Sequence, residues 1–183
     1  MKKILVIIFL VLILNTTAFA DKKFEKDLKK VSKDNGFVDS KGKTYSIDQI
    51  SDKNNTILII FNHGSLNDQK IDKCLSPWNK VPPVIRNLHD KKIKNFNVKI
   101  YRLCSGVKGW SKKEQTKMWK AHEKSGSLDL KLADKDGISL IEKQKQNRKR
   151  KIIKEKVENF KAKGFKNIVL AGHSSGGWQS IKL

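Results

Sequence analysis

Near the end of the sequence, Gly172-His173-Ser174-Ser175-Gly176-Gly177 follows an apolar run directly and stands before Trp178 and Gln179. Gly-x-Ser-x-Gly between a strand and a helix is an arrangement that can make a serine nucleophilic. The hydroxyl must project above the sheet from a sharp, strained turn, and small residues two positions to either side let strand and helix pass close together. Ser174 is therefore the candidate nucleophile. Ser175 has His173, not glycine, at its matching upstream position, but its backbone N–H stands at the helix start, where an oxyanion would be stabilised. The same glycine-rich turn also suits a bound phosphate. The four histidines are His63, His89, His122 and His173, and none has zinc-site spacing with the two cysteines, Cys74 and Cys104.

These residues need elements to hold them. Thr56-Ile57-Leu58-Ile59-Ile60-Phe61 is a continuous, largely β-branched apolar run, the pattern of a strand buried on both faces of a parallel sheet. Residues 96–103 and 165–171 read as two more strands. Residues 36–45 alternate apolar, polar and turn residues as a hairpin does, residues 52–55 read as a loop, and Phe24, Leu28 and Val31 suit a short amphipathic helix. The Pro82-Pro83 start predicts a helix over residues 84–92, with His89 near its end. A longer helix over residues 138–163 carries Ile152, Ile153, Val157 and Phe160 on one side and stops at Gly164. Strands alternating with helices predict an α/β architecture. Residues 105–137, with Trp110, Met118, Trp119 and His122, follow the carboxyl end of a strand, where α/β proteins place binding loops. They read as a lid-like insertion over the sheet or as a surface insertion whose tryptophans cover their own segment.

Over about residues 37–183 the chain resembles the first part of an α/β-hydrolase, of the dienelactone-hydrolase or prolyl-oligopeptidase-like kind. Two motifs carry the resemblance: the serine elbow, and Phe61-Asn62-His63-Gly64-Ser65, which is similar to the family's His-Gly loop after a hydrophobic strand. The resemblance implies a mostly parallel sheet with helices on both faces and an acyl-enzyme at Ser174. It also implies an oxyanion hole in which the backbone N–H of Ser65, or of Gly64 if the loop is shifted by one, pairs with that of Ser175. His63 orients its own loop, and Gly64, Gly172, His173 and Gly176 support the two motifs. No metal or organic cofactor is implied, and the substrate is a small molecule or peptide cleaved at an ester, thioester or peptide bond. In this family the acid and histidine of the triad follow the serine. Nine residues follow Ser174, none of them Asp, Glu or His, and a base role for His122 would require a rearranged site. The family's elbow strand lies at the centre of its sheet, so ending at Leu183 leaves an apolar edge. The expectation is an amino-terminal portion of a longer hydrolase, truncated after the elbow helix and catalytically incomplete as it stands.

The first twenty residues have Lys2 and Lys3, eleven apolar residues from Ile4 to Leu14, and Ala18-Phe19-Ala20, the pattern of a secretory signal peptide cleaved before Asp21. Eleven falls short of the roughly 20 residues a spanning helix needs, so the expected product is periplasmic or secreted, with an uncleaved anchor as the alternative. One exported domain over residues 21–183 remains. In an exported chain, two cysteines make a Cys74–Cys104 disulfide the default expectation, against two buried thiols. Forty basic residues against 18 acidic ones give a net charge of +22. Because 36 of the basic residues are Lys and four are Arg, the excess reads as a solvated surface, with no nucleic-acid partner. The competing functional reading is a non-catalytic exported protein that binds anionic surfaces through the basic run at residues 143–156. Nothing in the sequence fixes the oligomeric state.

Overall fold

The structure is a computed structural model. It describes residues 35–64, 80–105 and 138–183, together with isolated helical positions at 113, 116 and 120. The expectations for the signal peptide, the first amphipathic helix, Ser65, Cys74, His122 and nearly all of the 105–137 insertion lie outside the described residues.

Among the described residues, six strands form one mixed sheet. In chain order they are β1 (Gly36–Val38), β2 (Thr44–Tyr45), β3 (Thr56–Asn62), β4 (Lys92–Ile93), β5 (Phe96–Leu103) and β6 (Asn167–Gly172). The continuous helices among the described residues are α1 (Pro83–Arg86), α2 (Ile138–Ala162) and α3 (Ser175–Ile181), with a 3₁₀ turn at Ile47–Gln49. The spatial order is β2-β1-β5-β3-β6, and β4 pairs with β5 off this path. The three long strands β5, β3 and β6 are parallel, whereas β1–β2, β1–β5 and β4–β5 are antiparallel. The chain is thus an α/β protein whose sheet is less parallel than expected, because short local hairpins were added to a parallel centre.

Alternation along β3 buries both faces, as the sequence predicts. Leu58 and Ile60 face one cluster with Phe37, Tyr101 and Leu103, which α2 covers with Ile152, Ile153 and Phe160. Ile59 and Phe61 face the other, with Val38, Val98, Ile100 and Val81, and Ile85 of α1 packs against it. Phe160 is the aromatic hinge of the first cluster, with ring centroids 4.8 Å from Tyr101, 5.5 Å from Phe37 and 5.5 Å from Phe165. Truncating such a side chain typically costs about 3–5 kcal/mol. α2 stops where Gly164 takes φ 95°, and the Phe165 N–H bonds back to the Phe160 carbonyl at 3.1 Å, which aims the chain into β6.

The predicted helix at 84–92 is one turn long. Past Arg86 the chain tightens through turns, Asp90 adopts φ 59°, and its N–H bonds the Val98 carbonyl at 2.9 Å. Pairing of residues 90–93 with β5 therefore overrides helix propensity there. His89 sits in this turn, its Nε2 3.1 Å from the Tyr45 hydroxyl and its Nδ1 3.0 Å from the Asp90 carboxylate. Among the described residues no helix is long and apolar enough to cross a membrane.

Candidate active site

The carboxyl ends of β3 and β6 lie side by side, with Asn62 opposite Gly172. α3, which follows β6, packs against α2, while α1, the next described helix after β3, packs on the opposite face. Adjacent parallel strands whose connections diverge to opposite faces open a crevice at their carboxyl ends, a common place for a site in α/β sheets.

Ser174 occupies that crevice with φ 49° and ψ −125°, a combination side chains other than glycine rarely adopt. Holding such a residue costs about 1–3 kcal/mol, so the surroundings must over-determine it. They do so by close backbone contact. A Cβ on Gly176 would lie 2.3 Å from the Asn62 carbonyl oxygen and 2.4 Å from that of His63. One on Gly172 would lie 2.6 Å from the backbone of both Gly176 and Gly177. The His173 N–H donates to the Asn62 carbonyl at 3.1 Å, and the Gly176 N–H donates to the His173 carbonyl at 2.9 Å. On the other side of the contact the Asn62 side-chain amide donates to Ser180 Oγ at 2.7 Å, and Ser180 donates to the Gly176 carbonyl at 2.8 Å. The spacing read from the sequence thus marks the two positions where strand and helix touch. Ser174 is exposed, and no described side chain hydrogen-bonds its hydroxyl.

His63 is 1% exposed, and its hydrogen bonds define its tautomer. The Ser105 N–H donates to Nε2 at 2.9 Å, so Nε2 carries no proton; Nδ1 then holds it and donates to the Gly64 carbonyl at 2.5 Å. Burial foremost, with the nearby Lys149 charge, pulls the imidazole down to about 3. Both nitrogens of the ring are thus committed to hydrogen bonds within the fold. Gly64 lies under the elbow: a Cβ there would stand 2.9 Å from His173 Nδ1 and 3.4 Å from Ser174 Cβ. His173 itself is exposed. Ser175 begins α3, half-buried, beside Ser174.

One residue of the site is absent from the sequence-derived set. Lys149 is 3% exposed, and its Nζ lies 2.6 Å from the His63 carbonyl oxygen, 3.0 Å from that of Gly64 and 3.0 Å from Ser175 Oγ. Burial lowers it to about 7. Reading residues 143–156 as a solvated charge run hides it. The signal that marks it is phase, because Lys149 precedes Ile153, Val157 and Phe160 by four, eight and eleven residues on the buried stripe of α2.

Cys104 is disulfide-bonded, and the chain's other cysteine, Cys74, lies outside the described residues. Ser174, Ser175, His63, Gly64, Gly172, His173 and Gly176 converge in one place, and Ser65 lies outside the described residues. No protein-family model matches the chain, and no curated protein and no solved structure matches it.

Proposed function

We propose that the protein is a serine hydrolase of the α/β-hydrolase type, acting on an ester, thioester or peptide bond. The observation that carries this reading is the backbone of Ser174, held at φ 49° on a strand-to-helix turn between two glycines that contact backbone on all sides. Such a turn stores backbone strain, which fits a role of holding a hydroxyl out above the sheet. In the proposed reaction Ser174 Oγ bonds to the substrate carbonyl carbon while the carbonyl π pair moves onto oxygen. The proton of Ser174 passes to a base outside the described residues; the oxyanion's electron pair then re-forms the carbonyl as the bond to the leaving group breaks, the leaving group takes the proton from the base, and water releases the acyl group by the same steps. The Ser175 N–H at the start of α3, with the loop that follows His63, would hold the oxyanion, a donor typically worth about 3 kcal/mol.

Hydrolysis of a small activated ester by the full-length gene product, the form expected to carry the acid and histidine of the triad, tests this. Ser174→Ala should reduce the rate at least about 1,000-fold, and Ser175→Ala should stay within about tenfold, since alanine keeps the backbone N–H. Hydrolysis that survives Ser174→Ala would overturn the reading. Export belongs to the same proposal: amino-terminal sequencing of the mature protein should begin Asp21-Lys22-Lys23-Phe24. A mature protein that keeps residues 4–14 would remove the export part.

The anionic-surface reading has less support. Within residues 143–156 Lys149 is buried in the site, and Lys151 stands 3.9 Å from Glu155, the one acid of the run.

A further inference from the structure

A lysine on the buried stripe of a helix costs desolvation that Met or Leu would not. At Lys149 that cost is offset by a complete set of partners: two backbone carbonyls from the end of β3 and one hydroxyl from the start of α3. As an ammonium it donates to all three; as a neutral amine it donates to the two carbonyls and accepts from Ser175 by rotation of that hydroxyl. The set is satisfied in either state, so a lowered proton affinity does not undo it. Among the described residues no carboxylate pairs with Lys149.

The partners are not arbitrary. The Gly64 carbonyl also receives the proton of His63 Nδ1, so both of its lone pairs are engaged. The His63 carbonyl that Lys149 holds is also the atom 2.4 Å from a Cβ placed on Gly176. The His63–Gly64 loop is thus gripped between the backbone of the elbow helix and the amine of α2.

The geometry points to Lys149 as a positioning residue that clamps the His63–Gly64 loop to the first residue of the elbow helix and so fixes the oxyanion-binding surface beside Ser174. This rests on the reading of Ser174 as nucleophile, and it adds a third element, α2, to the machinery. Displacing such a surface by about 1 Å can cost about 100-fold in rate.

Lys149→Met keeps length and removes the donor. It should lower kcat for an activated ester, and the rate of fluorophosphonate labelling at Ser174, by about 100-fold while KM changes less than about threefold. Amides of residues 63–64 and 172–176 should exchange with deuterium faster while global melting stays cooperative. Lys149→Cys, alkylated with 2-bromoethylamine while unfolded and then refolded, carries an amine at nearly the same reach. Cys104 is disulfide-bonded, and a thiol titration of the wild type before alkylation checks that the reagent has one target. Alkylation should restore most of the lost rate, which replacing a merely space-filling side chain would not require. If Lys149→Met does not fold, the alkylated and unalkylated Lys149→Cys proteins carry the comparison. A folded Lys149→Met protein with wild-type kcat and labelling would overturn the clamp, as would alkylation that restores nothing. If the wild type is never labelled at Ser174, the hydrolase reading fails. The clamp is then judged by exchange alone, where unchanged amides at 63–64 and 172–176 would overturn it.

Discussion

β3 and β6 are neighbours, parallel, and nearly equal in apolar character, yet they occupy opposite environments. β3 lies between β5 and β6 and is covered on both faces, leaving Leu58 and Ile60 with no exposure. β6 pairs with β3 alone among the described residues, and Val169 at its middle is 47% exposed. The exposed character continues into α3 with Trp178, 65% exposed, and Ile181. Each strand is followed by a histidine and then a small residue, and the two ends behave as differently as their strands. His63 is buried, neutral and bonded at both nitrogens, whereas His173 is exposed above the crevice. An apolar run shows that a strand can be buried, but neighbours on both edges decide whether it is. At this site the rigid half, which would hold an oxyanion, is built on the buried strand, and the half that would react stands on the open one.

The sharpest way to break this arrangement is at the contact between the two halves. Gly176→Ala drives a methyl into the Asn62 and His63 carbonyl oxygens, 2.3 and 2.4 Å away, neither of which can retreat without moving β3. The expected loss exceeds about 3 kcal/mol in urea unfolding, together with loss of Ser174 reactivity, because backbone overlap relaxes less readily than side-chain overpacking. A fully stable Gly176→Ala protein would mean that β3 and α3 do not touch as described.

Packing of the strands comes next. Leu58→Ala on β3 should cost about 3 kcal/mol, since a fully buried leucine leaves a cavity. Val169→Ala on β6 should cost less than about 1 kcal/mol, since much of that side chain is already in water. Equal costs in denaturant titrations would erase the contrast between the strands.

The buried half should also show itself in pH. His63 is held near 3 against an ordinary value of 6.5, so between those values the unfolded chain binds a proton that the folded one refuses. Its contribution to stability is complete above pH 6.5 and is lost as pH falls through about 3. Lys149, held near 7 against 10.5, acts likewise at higher pH: its contribution is complete above 10.5 and is lost as pH falls through about 7. Unfolding free energy should therefore rise between pH 7 and 10, and Lys149→Met should flatten that slope. An unchanged slope in the variant would show that Lys149 is not buried as an amine.

Much of this was legible in the sequence where a local pattern determines the outcome. The strand periods placed β3, β5 and β6 to within two residues, and the glycine spacing identified the positions that contact backbone around Ser174. The end of α2 followed from Gly164, whose φ of 95° suits glycine. The helix expected at 84–92 failed because its second half pairs with β5, a contact made with residues that come later in the chain. Lys149 was hidden because composition groups it with the 36 lysines, most of which read as solvated surface, while only its phase with Ile153 and Val157 shows that it faces inward. The exposure of β6 depends on how many strands flank it, which the composition of its own residues does not encode.

Mapping of fluorophosphonate attachment by peptide mass spectrometry tests the central claim most directly. The gene product, treated with the reagent and digested, should carry a single new adduct on Ser174, with none on Ser175, and the adduct should vanish in Ser174→Ala and after unfolding before treatment. An adduct on another residue, or labelling that persists when the protein is unfolded first, would show that the strained turn at Ser174 does not make a nucleophile.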